Sequence, residues 1–145
     1  MTERVLVRQD NRFQTGFWAS DPEEPDSELE PAQHIHQLTP YGMLLASLGA
    51  CTAIVLNTYA QHHGVDLQEV EVRLEYDRIF RQDCEDCEGI NEYREEIREE
   101  LYVSGGFSAE EHDRLMRVAH QCSIAKMLER GIPLKFQESS EPIKE

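Results

Sequence analysis

The stretch Thr39–His63, TPYGMLLASLGACTAIVLNTYAQHH, decides the fold of this chain. A threonine followed by a proline is typical of a helix N-cap and the first helical position. From Met43 to Leu56 nearly every residue is apolar, and small side chains stand between the large ones. Gly64 follows as a helix stop. We therefore predict one long buried helix whose small residues let neighbouring strands come close.

Length and charge limit what the rest of the chain can be. The 145 residues make one domain of ordinary size, and the formal net charge of −15 argues against a nucleic-acid partner. The central apolar run is too short, and too interrupted by Gly49, to predict a membrane span. Residues 1–11 contain no apolar signal region. We expect a single cytoplasmic domain, residues 1–145, without a membrane or nucleic-acid partner.

Strands are predicted on both sides of the central helix. Residues 4–14 and 17–19 alternate as a hairpin would, with its turn at 9–11, and a solvated acidic loop covers 20–31. Residues 69–80 and 92–103 are predicted as two further strands. Ser108 and Glu111 form a capping-box pattern that begins a second helix. The remaining expectations are an end of this helix near residue 122, a turn or short helix at 123–130, a strand at 132–136 and a frayed tail at 137–145.

Four cysteines carry the chemistry that the sequence offers. Cys51 lies in the central helix and Cys122 at the end of the second predicted helix. Two buried cysteines acting as small hydrophobes remain one interpretation, and a reactive pair is the other.

The pair Cys84-x-x-Cys87 lies in an acidic loop. It is half of a zinc site, a redox dithiol, or neither, and the sequence leaves all three open. His34 and His36 would share one face of a strand, but no third metal ligand stands near them. No metal or other cofactor is therefore predicted.

A family resemblance changes the weight of these alternatives. The segment Pro40–Ala53, PYGMLLASLGACTA, resembles the signature of the OsmC/Ohr family, P-x-E-L-L-L-A-A-L-G-A-C. The segments Phe107–Glu110 and Leu115–Cys122 resemble the second helix of that family, which ends on its second cysteine. The similarity extends over residues 17–136.

The resemblance implies both a fold and an activity. Family members are α/β (α+β) domains with antiparallel strands packed around a long buried helix, and two chains intertwine into a homodimer with active sites at the interface. Characterised members are thiol-dependent peroxidases that reduce organic hydroperoxides without a cofactor. By resemblance, Cys51 would attack the peroxide, Cys122 would resolve the product, and a dithiol reductant would restore both thiols.

Two departures from the family pattern concern the activation of the first cysteine. Gly42, beside Tyr41 in the expected pocket, replaces the family glutamate that holds an arginine against that cysteine. Arg12, and after it Arg8, are the candidates for this arginine. Relatives often continue C-P-V-H after the second cysteine, where this chain has Ser123-Ile-Ala. Restoring the carboxylate with Gly42→Glu is expected to raise the rate if it finds an arginine. A non-catalytic dimer that binds a small apolar or thiol-reactive ligand is the alternative function.

Overall fold

A five-stranded antiparallel sheet carries a long helix on one of its faces. The computed structural model describes residues 2–24, 26–80 and 93–144. The strand order across the sheet is β3-β2-β1-β4-β5. The elements in chain order are β1 (Thr2–Asp10), β2 (Thr15–Ala19), β3 (Glu30–Pro31), α1 (Pro40–His63), β4 (Leu67–Phe80), β5 (Tyr93–Gly105), α2 (Ala109–Ala119) and α3 (Ser123–Arg130). The predicted mixture of antiparallel strands around one long helix is confirmed.

The first two strands form the predicted hairpin, with Val5 opposite Ala19. Its turn lies at residues 11–14, slightly later than predicted, because the Asp10 carboxylate accepts the backbone N–H groups of Arg12 and Gln14 at 2.9 and 3.0 Å. The middle strand β1 also pairs with β4 over its whole length, and β4 pairs with β5. The hairpin and the long β4–β5 pair thus form one continuous sheet.

The core lies between α1 and the sheet. Alternate residues of β1 and β4 point towards the helix, among them Val7 and Leu74. Gly49 of α1 faces these two side chains, and a Cβ atom at this position would come within 2.7 Å of both. The small residues of the central stretch therefore permit the close packing of helix and sheet. The fully buried large side chains include Leu45, Leu56, Leu74, Leu115, Val5, Val7, Val70 and Val72.

Both ends of α1 follow the sequence signals. Thr39 is the N-cap, and its hydroxyl accepts the backbone N–H of Gly42 at 3.0 Å. The same hydroxyl donates to the carboxylate of Glu3, a β1 side chain that is only 5 % exposed. At the other end Gly64 has φ 65°, which is the left-handed conformation that glycine tolerates best. At the first end of α1, the Glu3 carboxylate also complements the helix dipole.

The second helical region differs from the prediction. Ser108 and Glu111 form the expected capping box, but α2 ends at Ala119. Cys122 is the N-cap of a separate helix, α3, instead of the last residue of α2. The expectation of a helix running to about residue 122 was therefore wrong, and the turn between α2 and α3 redirects the chain just before this cysteine.

Three short segments also differ from the sequence prediction. The acidic loop contains β3, which pairs with β2 at Trp18 and Ala19. Residues 35–37 form a 3₁₀ turn, so the strand on which His34 and His36 would share one face is not present there. Residues 132–136 form no strand in the chain, and the exposed fractions of Leu134 and Phe136 are 82 % and 99 %. A strand needs a hydrogen-bonding neighbour, and the described part of the chain places none beside this segment.

By length and composition alone, α1 could cross a membrane, since its mean hydropathy over 18 residues is 1.6. Half of that window is buried within the chain. The helix packs against β1, β4, α2 and α3 as the core helix of the domain. Its apolar character is therefore accounted for in part by this packing.

Candidate functional site

The fold brings Cys51 and Cys122 together. Cys51 lies in the middle of α1, partly exposed, and Cys122 is fully buried where α3 begins. Both are free thiols, and each influences the pKa of the other. The Cys122 Sγ atom also lies 4.0 Å from the carbonyl oxygen of Leu48, one turn before Cys51. The two cysteines thus form one site between α1 and α3.

The two thiols differ in acidity. Burial is the largest influence on the pKa of Cys51 and raises it, but hydrogen bonds from Cys122, Ile124 and Ser123 together hold that pKa below its ordinary value. For Cys122, burial and the hydrogen bond with Cys51 both raise the pKa. The more exposed thiol is therefore the one that more readily becomes a thiolate, which is the nucleophilic form of cysteine.

The proposed activating arginines lie elsewhere in the chain. Arg8 belongs to the face of the sheet that points away from α1, where its guanidinium pairs with Glu71 at 3.0 Å and lies 4.9 Å from the Trp18 ring centre. Arg12 lies in the exposed hairpin turn. Among the described residues, no guanidinium is one of the largest influences on the pKa of Cys51. The single chain thus does not bring Arg8 or Arg12 to the thiol.

A cavity of about 530 Å³ lies near the cysteine pair, although neither cysteine lines it. It begins at Leu48 and Ala125, close to both cysteines along α1 and α3, and reaches Tyr41 near the start of α1. One wall is apolar and another carries carboxylates. The lining residues are Tyr41, Leu44, Leu48, Tyr76, Glu95, Glu96, Ile97, Glu99, Ala125, Leu128 and Glu129.

Two stacked tyrosines line this cavity, and each of them hydrogen-bonds to a charged side chain. The rings of Tyr41 and Tyr76 stack with their centres 4.6 Å apart. Arg78 donates to the Tyr41 hydroxyl at 2.8 Å, and the Tyr76 hydroxyl donates to Glu95 at 2.7 Å. Burial, followed by the hydrogen bond to Glu95, raises the pKa of Tyr76 to about 12. Tyr76 therefore stays protonated at neutral pH and remains a hydrogen-bond donor.

The predictions for the pocket residues and for the loop cysteines have different outcomes. Tyr41 lines the cavity, whereas Gly42 is buried beside Glu3 and Thr39 at the start of α1. Cys84 and Cys87 lie outside the described residues. Among the described residues, no group of three or more His, Cys, Asp or Glu side chains is placed to hold a metal ion. His34 and His36 stack with ring centres 5.4 Å apart.

Two residues of the site were missed by the sequence analysis. Ser123 places its hydroxyl oxygen 3.8 Å from the Cys51 Sγ atom. Glu99, on β5, accepts a 2.7 Å hydrogen bond from the hydroxyl of Thr52, the residue after Cys51. The sequence identified Ser123 only as a departure from the family C-P-V-H, and its position next to a candidate cysteine was the signal for a role in the site. No local signal distinguishes Glu99 from the other glutamates of β5.

Comparisons with known proteins agree with this architecture. A family model described as OsmC-like protein matches residues 33–137. A solved structure of an OsmC-like hydroperoxide resistance protein from Jannaschia sp. CCS1 is similar in fold, with a TM-score of 0.65 and 12 % sequence identity. The similarity covers 98 % of this chain and 95 % of that one. No curated protein matches this sequence.

Proposed function

Since this chain belongs to the OsmC-like protein family, we propose that it is a thiol-dependent peroxidase that reduces organic hydroperoxides. Cys51 is the attacking residue and Cys122 the resolving one. The observation that carries this proposal is the pairing of a partly exposed, more acidic thiol with a buried, less acidic one beside an open cavity. The similar solved structure is of a hydroperoxide resistance protein, which agrees with this chemistry.

The reaction begins on Cys51. Its thiolate attacks one peroxide oxygen, the O–O bond breaks, and the alkoxide leaves and takes a proton to become an alcohol. Cys51 is then a sulfenic acid. The sulfur of Cys122 attacks the sulfenic sulfur, water leaves, and a disulfide forms. An external dithiol supplies the two electrons that restore both thiols by exchange. No cofactor takes part.

The cavity favours neutral organic peroxides. Its apolar wall, formed by Leu44, Leu48 and Leu128, suits an alkyl or aryl group. Its glutamates repel a substrate that carries a carboxylate, and the net charge of −15 acts in the same direction at longer range. A neutral hydroperoxide is therefore the expected substrate class, in a cytoplasm that supplies the reducing dithiol.

We also propose that the working unit is a homodimer. Half of the most apolar window of α1 remains unburied in the single chain, and Ile54 on that helix is 46 % exposed. The apolar residues Ile132, Leu134 and Phe136 are exposed as well. Exposed apolar surfaces of this kind are typical of an interface. A second copy of the chain would bury them and would add residues near Cys51.

A non-catalytic binding protein is the second candidate. It is favoured by one observation, that Arg8 and Arg12 lie away from Cys51 in the chain. In that case the cavity and thiol would hold a small apolar or thiol-reactive molecule without turnover.

Intact-mass analysis after treatment with cumene hydroperoxide distinguishes the two functions. We expect the wild type to lose two hydrogens through a Cys51–Cys122 disulfide that a dithiol reverses. In Cys122→Ser, Cys51 should gain one oxygen and then a second under excess peroxide. Cys51→Ser is the matched control and should show neither product. If Cys51 stays a free thiol in the folded wild type, the peroxidase proposal fails and the binding function takes its place.

A further inference from the structure

The first turn of α3 has backbone donors without partners inside the helix. The first helical hydrogen bond of this element runs from Lys126 N–H to the carbonyl oxygen of Cys122, at 3.1 Å. The N–H groups of residues 123–125 therefore precede the helical ladder. Cys122, the N-cap residue, makes no regular side-chain capping bond. Most N-caps carry an oxygen that satisfies such donors, and here the place is taken by a cysteine.

Cys51 lies where these donors can reach it. The Ser123 hydroxyl oxygen is 3.8 Å from the Cys51 Sγ atom. Hydrogen bonding from the backbone N–H groups of Ile124 and Ser123 also lowers the pKa of Cys51, and that from Ala125 and Ile124 acts in the same direction on the pKa of Cys122. The Ser123 hydroxyl thus lies beside the Cys51 sulfur at the N-terminal, positive end of the α3 dipole.

We propose that Ser123 is a positioning residue whose hydroxyl, at the start of α3, holds Cys51 as a thiolate. A thiolate can only accept hydrogen bonds, so the Ser123 hydroxyl must turn its proton towards Cys51 once the thiol has lost its own to solvent. Hydrogen bonds to a charged group are stronger than those to a neutral one, and the arrangement therefore favours the ionised form.

The negative charge belongs on Cys51 and not on Cys122. Cys122 is fully buried, so its ionisation would cost more desolvation free energy than that of the partly exposed Cys51. Its thiol keeps its proton and donates it to the Leu48 carbonyl oxygen at 4.0 Å, one helical turn before Cys51. The direction of both pKa changes agrees with this assignment.

Alkylation measures the acidity of Cys51 without any peroxide, so this test stands apart from the peroxidase activity. The rate of Cys51 modification by iodoacetamide is followed against pH in full-length protein carrying Cys84→Ser and Cys87→Ser. Peptide mapping separates Cys51 from Cys122. The pH midpoint is the readout, because it reports thiolate formation separately from intrinsic nucleophilicity.

Three substitutions of Ser123 separate its donors. Ser123→Ala removes the hydroxyl, Ser123→Thr keeps it, and Ser123→Pro removes both the hydroxyl and the backbone N–H. Proline is well tolerated at the first position of a helix, so the third variant preserves α3. We expect the modification rate at pH 7 to fall about tenfold in Ser123→Ala, the typical effect of one hydrogen bond to a charged group. The modification rate should fall further in Ser123→Pro, whereas in Ser123→Thr it should stay near that of the wild type.

The outcome is decided by the midpoint in variants with wild-type circular dichroism. An upward shift in Ser123→Ala and Ser123→Pro, but not in Ser123→Thr, supports the proposal. An unchanged midpoint in Ser123→Ala, or an equal shift in Ser123→Thr, overturns it. Ser123→Ala retains every backbone donor, so it decides the question even if the proline variant does not fold.

Discussion

The substitution Gly42→Glu introduces a second carboxylate beside a buried one. A Cβ atom at residue 42 would lie 3.4 Å from the Glu3 carboxylate oxygen and 3.5 Å from the Thr39 hydroxyl. Glu3 is only 5 % exposed and accepts a hydrogen bond from Thr39. The sequence predicts a faster enzyme if the restored glutamate finds an arginine, and a destabilised helix start if it does not. In the structure the space beside Gly42 already faces a carboxylate from β1. The first effect of this variant should be on stability.

The magnitude follows from three opposing contributions. Two carboxylates about 5 Å apart repel each other by about 3 kcal/mol at an effective dielectric constant of ~20. Replacing glycine in a helix contributes about 1 kcal/mol of stability. A negative charge in the first turn contributes about 0.3–1 kcal/mol through the helix dipole. The free energy of unfolding should therefore fall by about 1–2 kcal/mol at pH 7, because the repulsion exceeds the two gains.

Urea denaturation of four matched proteins measures these contributions. Gly42→Gln provides the same size and helix propensity without charge, and we expect it to be more stable than Gly42→Glu by about 2 kcal/mol or more. In a Glu3→Gln background, Gly42→Glu should be neutral or stabilising. The double-mutant cycle should therefore give a coupling energy of about 3 kcal/mol between positions 3 and 42.

Lowering the pH should restore the stability that Gly42→Glu loses at neutral pH. Repulsion raises the pKa of the new carboxyl above its value in the unfolded chain, so the variant loses stability at neutral pH. That loss disappears as the pH falls through the raised pKa, because the protonated carboxyl no longer repels its neighbour. Equal stability of Gly42→Glu and Gly42→Gln at pH 7, or a coupling energy near zero, would refute the reasoning.

Three further outcomes are expected. Gly49→Ala places a Cβ atom within 2.7 Å of the Val7 and Leu74 side chains. The cost of overpacking, about 1–3 kcal/mol, should exceed the gain in helix propensity and lower the midpoint of urea denaturation. A midpoint equal to that of the wild type would show that the sheet moves away from the helix without a cost in stability. Cys84→Ser/Cys87→Ser should leave any peroxidase activity largely intact, and its loss in a folded double mutant would place the loop pair in the catalytic relay. Light scattering at micromolar concentration should give the mass of a dimer, because the exposed apolar surfaces require a partner; a monomer contradicts this.

The elements of this fold were largely predictable because their signals are local. The N-cap Thr39, the stop at Gly64 and the capping box at Ser108 each act within one helical turn, so their residue types alone indicate a helix end. Alternation of apolar and charged residues predicted β4, whereas the period of the β5 segment was ambiguous and a strand ending at the turn of residues 104–106 was favoured there. The sequence by itself also determined which cysteines were candidates, through the family signature around Cys51 and the position of Cys122.

Only the tertiary structure decided how the groups of the site meet. It separates α3 from α2, and so places the Ser123 hydroxyl 3.8 Å from the Cys51 sulfur. It directs Arg8 to the far face of the sheet and brings Glu3 beside Gly42. These relations join residues far apart in the chain, and they follow from strand pairing and helix packing. No spacing within a single element encodes them, because local propensity acts over a few residues while the site is formed by contacts across the whole core.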